Sequence, residues 1–211
     1  MPDRKLLRGL YAITPDDPLL PRLSALVGSA LAGGVRLVQY RNKFAPPPLR
    51  RAQAAELLRI CHAADARLII NDDLELALEI GADGVHLGRA DGDIAVARLT
   101  LGDRRILGVS CYNDIARVEA AVAEGADYVG LGSVFASATK PAATRASLQM
   151  LAEVKRRFAI PVAAIGGITI DNVQQVINAG ADMAAVITDL FNAMNIQEQA
   201  AAYQMLFEEK V

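Results

Sequence analysis

In the stretch LVQYRNK (37–43), an amide and two cations, Gln39, Arg41 and Lys43, fall at every second position. Alternate residues of a strand share a face, so the three form one polar row at the end of an apolar run. Two cations on such a row are costly unless an anion meets them. A guanidinium fork beside an ammonium suits phosphate or pyrophosphate. The competing reading is a solvated ion-pair face, the usual fate of a charge run, but Leu37 and Val38 mark a buried strand.

Further along, Asn71-Asp72 closes another apolar run and Asp91 follows the next one. Two carboxylates with no cysteine nearby and only two histidines in the chain favour a hard, oxygen-seeking cation. Magnesium commonly takes one or two carboxylates and completes its shell with substrate phosphates. Asp72 could equally cap the helix that begins at LELALEI, and Asp73 and Asp93 could be caps or ligands. Ser110 ends a third run, GVS. The connection SVFASATKPAATRAS (133–147) is the longest of its kind and places Ser137, Thr139 and Lys140 together, two hydroxyls and a cation. A long loop in a compact domain is often a binding loop. Gly166-Gly167 in AAIGGIT and Ile187-Thr188 in VITDLF end the last two runs, where backbone amides can approach an anion. His62 lies in a helical pattern and reads as packing or surface, whereas His86 can reach an interior and is expected to be satisfied there.

These residues need elements that bring them together. One pattern recurs: an Ala-rich helical run, a glycine turn and a short apolar strand, seen in AGGVRLV, GADGVHLG, GADYVGLG and AGADMAAVI. A glycine just past a helix suits the left-handed C′ position, and a wholly apolar run suits a strand buried on both faces. Eight such runs are expected, at 10–14, 35–41, 67–71, 84–87, 106–110, 128–132, 162–165 and 183–187. Helices are expected between them, for example at 49–64, 113–124, 148–158 and 171–178. Strict βα alternation predicts a parallel sheet, and eight strands predict a (β/α)8 TIM barrel as one domain over residues 1–211. An open doubly wound sheet is the alternative, but no G-x-G-x-x-G follows the first strand. In a barrel, sites lie at the C-terminal strand ends, and every residue singled out above, His62 excepted, falls at such an end or in the loop after it.

Composition narrows the classes. With 53% hydrophobic residues the chain can bury a large core, and a net charge of −2 gives no footprint for nucleic acid. No apolar run approaches the ~18 residues of a membrane span, and the N-terminus lacks a signal-peptide core. A cytoplasmic protein is expected, acting on small molecules without membrane or nucleic-acid partners; a homo-oligomer is compatible with the sequence. Cys61 and Cys111 stand far apart and read as core residues.

The stretches LYAIT, VQYRNK, LIINDDLELALEIGADGVHLG, ILGVSCYND, DYVGLGSVFASATK, PVAAIGGIT and VITDLFNA together resemble the thiamine-phosphate synthase (thiamine-phosphate pyrophosphorylase) family. The ordered set QxRxK, ND, HLGxxD, GVS and TK is its specific part. The resemblance implies a transferase in thiamine biosynthesis that joins 4-amino-2-methyl-5-hydroxymethylpyrimidine diphosphate to a thiazole phosphate, releasing pyrophosphate, with Mg2+ required. Carried over by motif, Gln39, Arg41, Lys43, Asn71, Ser110 and Lys140 would bind the pyrimidine diphosphate, and Arg41, Ser110 and Lys140 would serve the chemistry. Asp72 and Asp91 would hold magnesium; Ser137, Thr139, Gly167, Ile187 and Thr188 would bind the thiazole phosphate. Three positions depart from the family's frequent residues, Asn42 for Glu, Ser137 for Thr and Thr188 for Ser, and each keeps a hydrogen-bonding group. The rival readings are a thiazole tautomerase-like isomerase, which needs neither the carboxylates nor the cation row, and a non-catalytic phosphate-binding paralogue.

Overall fold

The computed structural model describes residues 6–136 and 145–208. Eight parallel strands close into a barrel in chain order, β1 (Gly9–Ile13), β2 (Leu37–Tyr40), β3 (Arg67–Asn71), β4 (Gly84–Leu87), β5 (Ile106–Tyr112), β6 (Tyr128–Gly132), β7 (Val162–Ile165) and β8 (Met183–Val186). Closure is made by β1 against β8, with Tyr11 opposite Ala185. Helices α1 (Leu20–Ala32), α2 (Pro47–Ala63), α3 (Leu74–Glu79), α4 (Ile94–Leu101), α5 (Ile115–Ala123), α6 (Leu148–Arg157) and α7 (Val173–Asn178) separate the strands, and α8 (Thr188–Phe191) and α9 (Ile196–Glu208) follow β8. The expected (β/α)8 barrel is therefore the observed fold.

Local chemistry sets these boundaries. Prolines open α1 and α2, where a missing N–H costs nothing. Aspartates 73, 93 and 114 and Ser147 accept the first free N–H groups of α3, α4, α5 and α6. Gly81, Gly125 and Gly180 take φ of +72°, +86° and +99°, the left-handed turn that the repeated glycine motif predicts.

Two hydrophobic layers result. Leu10, Val38, Tyr40, Leu68, Ile70, Val85, Leu107, Val129 and Ala184 face the helices. Tyr11, Ile13, Leu37, Ile69, Ile106, Tyr128, Ala163 and Met183 fill the lumen. Cys61 and Cys111 are buried, and burial pushes both thiols up to about 12, so neither is a nucleophile at neutral pH. Among the described residues no helix is long and apolar enough to cross a membrane.

The lower rim of the barrel is held by a repeated device. Asp83, Asp127 and Asp182, each one residue before an even-numbered strand, accept the N–H groups of Leu68, Leu107 and Val162 at 2.8, 2.8 and 2.7 Å. Each also meets a cationic side chain: Arg67 at 3.6 Å, Arg98 at 2.6 Å and Lys155 at 2.7 Å. In the first quarter, Gln204 of α9 takes over this role, accepting from Leu10 N–H at 3.0 Å and donating to the Gly34 carbonyl at 2.7 Å.

Several element ends differ from those expected. Strand β2 begins at Leu37 and stops at Tyr40, so Val35 and Arg41 lie just outside it. Strand β5 runs on to Tyr112 through a register shift between Ser110 and Tyr112. Ile187 ends no strand; it is the N-cap of α8.

Candidate active site at the C-terminal mouth

Strand parity places Gln39 as expected, but β2 ends at Tyr40, so parity does not carry Arg41 or Lys43. Val38 and Tyr40 pack against the helices, which turns Gln39 inward, where it is buried and donates to the Tyr11 hydroxyl at 2.7 Å. Arg41 and Lys43 follow on the loop after β2. A residue that sequence reading missed, Asp16, braces them: one carboxylate oxygen accepts from the Arg41 guanidinium at 2.9 Å and the other from Lys43 N–H at 2.7 Å. Thr14 is buried and stitches β1 to β2, donating to the Arg41 carbonyl and accepting from Arg41 N–H, both at 2.9 Å. Asn42 is buried beneath the row, donating to the Asp17 carbonyl at 2.8 Å and to Gln53 Oε1 at 3.0 Å. Its amide thus anchors the loop from below, leaving Arg41 and Lys43 to face outward.

The aspartates sort themselves by role. Asp73 caps α3 and Asp93 caps α4, accepting from Leu76 and Val96 at 2.9 Å each. That relieves Asp72 of capping. Asp72 instead holds a left-handed φ of +63° at the end of β3, a conformation that strains a residue with a Cβ and marks a position held by its surroundings. Its carboxylate lies 3.5 Å from Lys43 Nζ and faces that of Asp91. Burial, and then the Asp91 carboxylate, hold Asp72 above the usual carboxylate range, against smaller opposing pulls from Lys43 and Asn71. Asp91 is aimed by a tight turn in which its Oδ2 accepts from Gly88 N–H at 2.8 Å. Arg117, also not anticipated, ties this turn to β5 by donating to the Ser110 carbonyl at 2.7 Å and the Gly88 carbonyl at 3.0 Å. Lys43, Arg50, Asn71, Asp72, Glu75 and Asp91 line a cleft of about 470 Å³.

Ser110 looks into the lumen, its hydroxyl 2.8 Å from His86 Nε2. His86 is buried and satisfied on both nitrogens, the other meeting Tyr128 Oη at 2.9 Å. Burial lowers its pKa to about 4, so the ring is neutral at physiological pH and is no general base exchanging with solvent. His62 is paired on the surface with Asp83 at 3.0 Å. Both histidines thus occupy the structural roles expected of them.

On the opposite side of the mouth, Gly166 and Gly167 take φ of +102° and +63°. A Cβ on Gly167 would collide with the Ala136 carbonyl, so the glycine is required by close approach as well as by φ. Asn172 donates to the Gly167 carbonyl at 2.9 Å and fixes the turn. Ile187 packs on the luminal cluster, and Thr188 opens the short α8 beside it. Ser137, Thr139 and Lys140 lie outside the described residues. The structure therefore brings Gln39, Arg41, Lys43, Asn71, Asp72, Asp91, Ser110, Gly167, Ile187 and Thr188 to one end of one barrel.

Comparison with known proteins agrees along the whole chain. Residues 10–190 match the family model described as thiamine monophosphate synthase. The thiamine-phosphate synthase of Aromatoleum aromaticum is 53% identical over 208 residues, covering 99% of this chain and 100% of the relative. That of Nitrosococcus oceani is 52% identical, covering 95% and 93%. Among solved structures, thiamine phosphate pyrophosphorylase from Pyrococcus furiosus superposes with a TM-score of 0.88 at 32% identity, covering 99% of this chain and 100% of that one. The chain belongs to the thiamine monophosphate synthase family.

Proposed function

We propose that this chain is a transferase that condenses 4-amino-2-methyl-5-hydroxymethylpyrimidine diphosphate with 4-methyl-5-(2-phosphoethyl)thiazole to give thiamine phosphate and pyrophosphate. The observation that carries the reading is the pair of facing carboxylates, Asp72 and Asp91, set beside Lys43 in the cleft after β2, β3 and β4. Neither a thiazole tautomerase nor a simple phosphate binder needs such a pair.

The two carboxylates fit a magnesium ion. A carboxylate pushed against another carboxylate, with its charged form disfavoured, is relieved by a cation between them. Among the described residues no group of three or more acidic, histidine or cysteine side chains forms, which suits an ion that takes further oxygens from a diphosphate and water. When bound, magnesium would neutralise charge on the departing pyrophosphate.

This chain's own groups do the rest. Lys43 and Arg41 would pair with diphosphate oxygens, and Asn71 would donate to them. Gln39 and Ser110, at the floor of the mouth, would hold the pyrimidine. The pyrimidine CH2–O bond would break first, and the cations would stabilise charge as it develops on the leaving group. The thiazole nitrogen carries a free lone pair and attacks the methylene carbon without a general base, in keeping with a neutral His86 buried away from solvent. Gly167, Ile187 and Thr188 would seat the thiazole phosphate, together with Ser137 and Thr139; Lys140 would reach the pyrophosphate as it leaves. We place the reaction in the cytoplasm.

The test is incubation of the purified protein with both phosphorylated substrates, with and without magnesium, following thiamine phosphate and pyrophosphate. Magnesium-dependent formation of both products in equal amounts is expected. No product in the presence of magnesium would overturn the reading.

A further inference from the structure

Beneath the mouth, side chains from five strands form one unbroken hydrogen-bond path. Gln39 on β2 donates through Nε2 to Tyr11 Oη on β1 at 2.7 Å. The hydroxyls of Tyr11 and Tyr128, on β6, are 2.6 Å apart. Tyr128 Oη meets His86 Nδ1, on β4, at 2.9 Å, and His86 Nε2 meets Ser110 Oγ, on β5, at 2.8 Å. The two residues that the proposed function places against the pyrimidine are thus the two ends of a single path.

The path is built into the barrel by glycines. Gly108 stands opposite Tyr128 in the β5–β6 ladder, and a Cβ there would run into the phenol ring. A Cβ on Gly130 would lie in van der Waals contact with His86 Cε1, at 3.4 Å. With that space free, the Tyr11 and Tyr128 rings meet edge to face at 5.7 Å and His86 stacks on Tyr128 at 5.5 Å. These contacts leave the rings little freedom to turn.

Counting protons along the path gives its direction. Each hydroxyl and a neutral imidazole has one proton to give. Tyr11 receives from Gln39, so its own proton goes to Tyr128. Tyr128 then gives to Nδ1, and the His86 proton sits on Nε2 and goes to Ser110. Ser110 is left with its hydroxyl proton for a ligand, and Gln39 with Oε1 as an acceptor. Rotating the Gln39 amide would reverse every donor at once, and the two ends would still be opposite in kind.

We propose that Tyr11, Tyr128 and His86 are positioning residues that couple Gln39 to Ser110, so that the site reads one donor and one acceptor on the pyrimidine together and disfavours a ring with the reversed pattern. An aminopyrimidine supplies an amine that donates to Gln39 and a ring nitrogen that accepts from Ser110. Its oxo analogue presents a carbonyl and a ring N–H, which sets the carbonyl against Gln39 Oε1 and leaves the Ser110 proton without an acceptor unless the path reverses. The inference rests on the reading that Gln39 and Ser110 contact the pyrimidine.

The test uses Tyr128→Phe, with Tyr11→Phe as a second break in the same path should the first not fold. Binding of the amino and oxo pyrimidine diphosphates is measured by calorimetry with magnesium and without thiazole phosphate, so that no turnover occurs. The parent should prefer the amino form. Each variant should lose on the order of tenfold in affinity for the amino form, as one buried hydrogen bond allows, with less change for the oxo form, so the preference collapses. Nitrogen spectra of the imidazole, taken without substrate and assigned with His62→Gln, should show the parent His86 proton on Nε2 and a mixture of tautomers in Tyr128→Phe. A preference unchanged in both variants, or a parent proton on Nδ1 together with a preference for the amino form, would overturn the proposal. A parent protein that makes no thiamine phosphate would overturn the functional reading instead, while the spectra would still decide the path.

Discussion

The two rims of this barrel use aspartate in opposite ways. At the lower rim Asp83, Asp127 and Asp182 each accept a strand N–H and each meet a cation. At the upper rim Asp72 and Asp91 face one another, and against that second carboxylate Asp72 has Lys43 at 3.5 Å and the Asn71 side chain. An anion given a backbone donor and a counter-ion stabilises the fold. An anion set against another anion destabilises it slightly and is retained for what it can bind. The three lower-rim aspartates precede strands and Asp72 and Asp91 follow them; Asp16, also at the mouth, keeps a backbone donor and a cation, so it is the facing of two carboxylates that sets this pair apart.

The largest effect that would sharpen this contrast is on turnover. Asp72→Asn and Asp91→Asn are each expected to lower it by about a hundredfold or more, the scale on which charge stabilisation at a leaving group acts, with the barrel still folded. Turnover measured against magnesium concentration, beside thermal melting, checks it. Parent-like turnover with an unchanged magnesium curve would break the comparison at its upper end.

Next comes His86, just beneath the upper rim. Its folded pKa of about 4 lies below the ordinary 6.5 because burial disfavours the charged ring. Stability linked to it is full above pH 6.5. It is lost as the pH falls towards 4, since only the unfolded chain takes up the proton in that window. The loss amounts to about 3 kcal/mol. Urea midpoints at pH 7.5 and 4.5 should show a steeper acid loss in the parent than in His86→Gln, and parallel losses would show that the ring is not held neutral.

At the lower rim, Asp127→Ala should strand the Leu107 N–H and leave the Arg98 guanidinium with carbonyl partners but no carboxylate, lowering stability by about 2 kcal/mol while leaving turnover unchanged. Denaturant melts and a steady-state assay on the same preparation test both halves. A fall in turnover without a fall in stability would erase the distinction between the rims.

The smallest effect is the most diagnostic of strain at the mouth. In magnesium-free buffer, Asp72→Asn should melt slightly higher than the parent at neutral pH. A carboxyl whose folded pKa is raised adds stability only while protonated, and that stability is lost as pH rises through the folded pKa. The advantage of the amide should therefore fade as the pH is lowered towards the ordinary carboxylate value of 3.8. A variant that melts lower at neutral pH would mean that the Asp72 charge stabilises the empty site.

Much of this was legible before the structure because its signals are local. Parallel strands buried on both faces read as apolar runs, and glycines just past helices read as left-handed turns; both hold at 81, 125 and 180. The parity of Gln39 was likewise readable from four consecutive residues. Asp72 was not separable from Asp73 as a cap, since adjacent aspartates before a helix look alike until one carboxylate is seen to accept the Leu76 N–H. Asp16, Arg117 and the path through Tyr11, Tyr128 and His86 were missed because each joins strands or loops far apart in the chain. The lower-rim aspartates did leave a trace, the repeated GAD, which was read for its glycine alone.

Gln204 gives the molecule a direction in time. Three quarters of the lower rim are braced by an aspartate 15 or 20 residues further along the chain, so each is complete within one βα unit of leaving the ribosome. The first quarter waits for α9, which also receives Arg8 at the Phe207 carbonyl, 2.7 Å. The opening strand, made first, is finished last. Until the chain has been translated through that helix, Leu10 N–H and the Gly34 carbonyl lack these partners, and the lower rim is unbraced at β1. Removing α9 should therefore leave a chain with most of its helices and strands, in which β1 is still paired on both sides but its lower end is exposed and frays first.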